Sequence, residues 1–124
     1  MTNGYYSIVQ YCPNRFRSEL ANVGLIIISF QPKNFKVRMI KDLDRVNLFF
    51  NNSKKDSLNL NSVIESMENR IRSEKFKSLI QLSNFCSSRA NDLRITQPRK
   101  CKIDDFEKES ERLFFELVEL PTNE

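Results

Sequence analysis

The period of apolar and polar positions changes several times along this chain, and each change marks an element. From Tyr5 to Cys12 the β-formers Tyr6, Ile8, Val9 and Tyr11 lead to Pro13, which cannot donate to a ladder. A first strand is predicted there. Val23 to Phe30 reads Val-Gly-Leu-Ile-Ile-Ile-Ser-Phe, apolar at almost every position, as a central strand covered on both faces requires. Gln31-Pro32-Lys33-Asn34 is a turn. Phe35 to Ile40 then sets Phe35, Val37 and Met39 against Lys36 and Arg38, the alternation of a half-solvated strand. The last two strands form a hairpin, within a sheet of at least three strands.

Beyond residue 41 the period lengthens. Leu43, Val46, Phe49 and Phe50 fall at helical spacing after an acidic start at Asp42. The polar stretch from Asn51 to Ser57 reads as a surface loop. Ser62-Val63-Ile64-Glu65 matches a capping box, with Val63, Met67 and Ile71 four apart behind it. Phe76, Leu79 and Ile80 resume out of phase, so a break is expected near Ser73. Asp92 to Thr96 and Cys101 to Ile103 are short extended pieces around Gln97-Pro98. Asp104-Asp105 lead a closing helix, about 104–120, carried on Phe106, Leu113, Phe114, Leu117 and Val118. The class is α+β: an antiparallel or mixed β-sheet with helices packed against it, in one small domain over residues 1–124.

Composition narrows the chemistry. A chain of 124 residues is the size of one domain. No apolar run is long enough for a transmembrane helix, and the start has no basic-then-apolar signal pattern, so a cytoplasmic protein is expected. Histidine is absent, which removes the commonest catalytic base, metal ligand and pH switch together. Zinc sites and Ser-His-Asp triads need histidine or clustered cysteines, whereas Cys12, Cys86 and Cys101 are far apart. These read as three buried thiols in a reducing compartment. Phosphate-binding glycine loops fail as well, since the only glycines are Gly4 and Gly24. No cofactor and no catalytic set is expected. A magnesium nuclease built from carboxylates and lysine is the weakest alternative, because no acid precedes a lysine by two positions.

The net charge of +4 conceals an uneven distribution. Residues 1–55 carry nine Lys/Arg against three Asp/Glu, and residues 56–103 carry nine against five. Residues 104–124 reverse this, with two against eight. Helix capping and the helix dipole account for the acids at the start of the last helix, with no need of a cationic partner. The basic body has no such local explanation, and points to an anionic partner.

Arg15-Phe16-Arg17-Ser18-Glu19-Leu20-Ala21-Asn22-Val23-Gly24 is the most distinctive segment, with two arginines, a carboxylate and an amide just before the buried strand. Arginine forks recognise carboxylate or phosphate, and Glu19 could hold such a fork in place. Equally, Arg17 and Glu19 could pair, Asn22 tie the loop and Gly24 allow close backbone approach, as a purely structural knot. On the binding reading Arg15, Arg17 and Arg38 are the anionic contacts, with Glu19 and Asn22 orienting them. Nucleic acid is the alternative partner, because Tyr11, Phe16 and Phe35 are interleaved with Arg15, Arg17, Lys36 and Arg38.

The chain resembles the bacterial domain-of-unknown-function family numbered 3037. The likeness rests on Tyr6-Ser7-Ile8-Val9, Tyr11, Pro13, Arg17, Glu19 and Asn22-Val23-Gly24. It continues, more weakly, through Phe35 to Ile40, Asp44-Arg45, Ile95-Thr96-Gln97-Pro98 and Leu113 to Val118. Three positions depart from the family's pattern: Arg15 replaces a frequent proline, Ser18 a glycine, and Arg99-Lys100-Cys101 a segment that often holds histidine. The resemblance implies no established activity. It implies a gene neighbourhood with a HipA-like kinase, hence a binding or regulatory subunit whose protein partner is such a kinase or a toxin–antitoxin-like module.

Overall fold

A computed structural model describes residues 2–12, 20–41, 46, 54–87 and 93–119, with backbone alone for 54–59. Its five strands are β1 (Thr2–Tyr11), β2 (Ala21–Phe30), β3 (Lys33–Met39), β4 (Leu93–Ile95) and β5 (Arg99–Ile103). The helices are α1 (Lys54–Ser73), α2 (Leu79–Cys86) and α3 (Phe106–Phe114), the last continuing into a π-helical turn, Phe115–Glu119. The fold is α+β, and every strand pair is antiparallel.

The sheet runs β3-β2-β1-β4, with β5 also on β1. Thr2–Tyr6 of β1 pairs with β5, and Val9–Tyr11 pairs with β4, so the two short strands form one interrupted row. Between Ile95 and Arg99 that row has one residue more than β1 opposite it, a bulge at Gln97-Pro98, where proline has no N–H to give. Thr96 holds the junction: its Oγ1 accepts from the Ile8 N–H at 2.8 Å, and its own N–H donates to the Ile8 carbonyl at 2.9 Å. Gln97 turns outward to α2, where its amide meets the Ser83 hydroxyl and carbonyl and the Ser87 hydroxyl.

The uninterrupted apolar run of β2 is explained by cover on both faces. On one face, Ile26 and Ile28 pack with Val9, Val37, Leu60, Ile64, Met67, Ile71, Phe76 and Leu82, beneath α1 and α2. On the other, Leu25 and Ile27 pack with Ile8, Ile103, Leu113 and Val118, beneath α3 and its turn. An extra residue, Val23, interrupts the register between Gly24 and Asn22 opposite Val9 and Gln10. This bulge exchanges the faces, bringing Val23 into the first core and Asn22 to the α3 side.

Most predicted elements are present, with displaced ends. β1 starts three residues early because β5 gives Thr2–Tyr6 a partner. The predicted 51–57 loop is corrected at its end, since helix α1 already includes residues 54–57. Ser62-Val63-Ile64-Glu65 is not a cap: it lies inside α1. Leu60, Ile64, Met67 and Ile71 form one buried stripe that begins before Ser62 and carries the helix through it. The break at Ser73 occurs, and α2 begins anew with Ser78 as its cap. The predicted helix over Asp42 to Phe50 lies outside the described residues except for buried, helical Val46. Cys12 and Cys86 are buried as expected, whereas Cys101 is half-buried. No helix among the described residues is long and apolar enough to cross a membrane.

Candidate functional site

The five residues singled out in the sequence fall in three places. Arg15, Arg17 and Glu19 lie outside the described residues. Asn22 and Arg38 are both on the α3 side of the sheet, each held by defined partners.

Asn22 fastens the strand ends from which the 13–19 segment departs. Its Oδ1 accepts from Gln10 Nε2 at 3.1 Å, and its Nδ2 donates to the Leu117 carbonyl at 2.8 Å. One amide thus joins β1, β2 and the π turn. Gln10 faces Asn22 on one side and Arg94 on the other, so Asn22, Gln10 and Arg94 form a polar row across three strands. Cross-strand neighbours share a face, which places the exposed Arg94 beside this amide pair. Arg94 has no carboxylate partner among the described residues.

Arg38 stands in a different arrangement. Its Nε donates to the Ser110 Oγ at 3.1 Å and its Nη2 to Glu107 Oε1 at 3.0 Å, with Glu111 at 3.8 Å. Lys36 Nζ also donates to Glu107 Oε1. Ser110, fully buried, donates its own hydroxyl hydrogen bond to the Glu107 carbonyl at 3.0 Å. The acids of the last helix therefore do have cationic partners, a correction to the capping-and-dipole account. Asp105 does cap α3, accepting from the Lys108 N–H at 3.1 Å. Glu107 and Glu111, however, are four apart and face β3, where strand alternation presents Lys36 and Arg38. Glu109 and Glu116 are joined through Arg112.

The Lys36 ammonium, then the Arg38 guanidinium, hold the Glu107 carboxyl below its ordinary range. The Arg112 fork does the same for Glu109. A carboxylate whose folded pKa is depressed adds stability above its unfolded pKa, which is lost as pH falls through the folded value. Melting temperature is therefore expected to drop on acidification below about pH 4.5, the ordinary glutamate range. Glu107→Gln should lower the neutral-pH midpoint and flatten that acid limb, as read by thermal melts across pH. An unchanged acid limb would show that the cluster adds nothing to stability.

The other reactive groups are quiet. Burial pushes the Cys86 thiol up, against the Ser7 hydroxyl 3.4 Å away. Burial and then Glu109 push the Cys101 thiol up. Among the described residues no group of three or more Cys, Asp or Glu side chains is placed to hold a metal ion. A groove of about 850 Å³ runs along the outer edge of β3 between α1 and the π turn, but Lys36, Arg38, Lys41 and Arg72 share it with Glu65, Glu68 and Glu119. Four cations against three acids leave the lining mixed in sign, with little to select a ligand by charge.

Lys36 and Arg38, neutralised on β3, contrast with the cations at the opposite edge of the sheet. Of the β4–β5 cations Arg94, Arg99, Lys100 and Lys102, none forms an ion pair among the described residues. The sequence signal for this row was four cations in nine residues with no acid between them, but strand pairing was needed to put them on one edge.

The architecture defines a small α+β protein whose antiparallel sheet is covered on both faces, with a polar row at one end. The chain belongs to the family described as "Protein of unknown function (DUF3037)", whose model matches residues 6–118. No curated protein and no solved structure matches it.

Proposed function

We propose that this protein is a cytoplasmic, non-catalytic binding or regulatory subunit whose partner is a HipA-like kinase or a toxin–antitoxin-like module. The observation that supports the reading is the row Asn22–Gln10–Arg94. Asn22 fixes the bases of β1 and β2, and an exposed arginine without a carboxylate partner stands beside it. A segment rich in arginine mounted on fixed strand ends is suited to recognising acidic groups, because less freedom is lost on binding. In this reading Arg15 and Arg17 meet the partner's acidic groups and Glu19 orients them. Arg94 extends the same cationic front. Arg38, proposed with them from sequence, contributes only by exchanging Glu107 for an outside anion.

The test is co-purification with the HipA-like kinase of a neighbouring gene, using native protein and the Arg17→Ala/Glu19→Ala variant. The native protein is expected to retain the kinase, and the variant, melting as the native protein does, to lose it. Equal retention by a folded variant would remove the loop from the interaction.

A further inference from the structure

We infer that the sheet face opposite α3 carries, at its hairpin end, a binding surface for single-stranded nucleic acid, formed by Lys33, Lys100, Lys102, Tyr5 and Phe30. It is separate from the row at Asn22, and stands or falls independently of the proposed partner.

Strand register assembles the surface. In β5, Cys101 and Ile103 turn toward α3, so Lys100 and Lys102 point to the other face. Lys100 is directly opposite Tyr5, and Lys102 is opposite Asn3, to whose Oδ1 its Nζ donates at 2.6 Å. Lys33, directly opposite Phe30 on β3, closes the far side, its Nζ donating to the Phe76 carbonyl at 2.7 Å. The Tyr5 and Phe30 rings lie between these cations, with centroids 6.2 Å apart and planes at 52°, both half-buried.

Two features fit this ligand class. None of the three ammonium groups meets a carboxylate: two bond neutral oxygens, so their charge is undiminished. Lys75 and Lys77, exposed on the connection that crosses at Phe76, add to the positive field, and Glu74 is the one acid there. Lys100 and Lys102 are about 7 Å apart along the strand, which suits successive phosphates of an extended strand. Half-exposed rings between cations offer a stacking floor that a merely charged edge lacks. Lysines on an edge strand also deter edge-to-edge association, but that purpose needs neither the rings nor Lys33.

The probe is a fluorescein-labelled oligo-dT of about 15 nucleotides, followed by anisotropy between about 50 and about 200 mM salt. Three phosphate contacts predict a log–log slope of about −2, hence about a twentyfold loss of affinity over that range. Lys100→Ala/Lys102→Ala should flatten the slope to about −0.7. Tyr5→Leu, which keeps an apolar side chain in the core, should weaken binding at least about fivefold. Lys108→Ala, on the exposed side of α3, should bind as the native protein does. No binding at the lower salt would overturn the proposal. So would equal loss in the Lys108 variant, or an acidic polyglutamate competing as well as the oligonucleotide, which would mark the surface as one for acidic protein.

Discussion

Ile27→Ala should lower stability by about 2–5 kcal/mol, toward the upper part of that range. Ile27 has no exposed surface, and packs under α3 with Ile8, Leu25, Ile103, Leu113 and Val118. The cost depends on how far the surroundings can close the cavity. Here they are restrained: β2 is hydrogen-bonded on both edges, to β1 and β3, and covered on both faces. A folded domain holds only about 5–15 kcal/mol in reserve, so the melting midpoint should fall by about 8–20 °C. Urea unfolding would show a shifted midpoint at an unchanged slope. A loss below about 1 kcal/mol would mean that α3 does not cover this face.

Gly24→Val should cost about 1–3 kcal/mol through crowding. Neither glycine has a positive φ, so the requirement is for space. A Cβ at Gly24 would lie 2.3 Å from the Met39 sulfur and 3.2 Å from the Arg38 carbonyl oxygen. The methionine side chain can swing aside, which makes Gly24→Ala mild. The carbonyl belongs to the β2–β3 ladder and cannot move without disturbing Arg38, whose guanidinium anchors α3. Chemical denaturation of the two variants separates these contributions. Equal stability of native protein and Gly24→Val would show that Met39 alone sets the contact.

Gly24 also shows what the sequence made legible. Its place just before a strand apolar on both faces led to close backbone approach, and the two-sided cover of β2 followed from the same run. The alternation Lys36–Arg38 against Val37–Met39 gave the two faces of β3 correctly. What covers the charged face was not legible. Pairing of Glu107 and Glu111 with β3 depends on where α3 docks, a contact across about seventy residues that no local period encodes. Likewise Ser62-Val63-Ile64-Glu65 has the letters of a cap, yet the Leu60–Ile71 stripe keeps the helix going through it. The sequence offers Asn22 as a loop-tying or orienting residue. Its partners, Gln10 and the Leu117 carbonyl, emerge only once a bulge turns it toward α3.

The charge of the chain thus divides by location rather than by segment. Lys36 and Arg38 on β3 are matched by the last helix, whereas Lys33 and the cations of β4 and β5 meet no carboxylate among the described residues. We propose that a protein partner docks at the end of the sheet carrying Asn22, Gln10 and Arg94. Hydrogen exchange of the chain, alone and mixed with the HipA-like kinase, tests it most directly. Slower exchange is predicted in peptides covering residues 10–22 and 93–96, with the β2–β3 turn unaffected. Unchanged exchange in both segments, or protection confined to other parts of the chain, would contradict it.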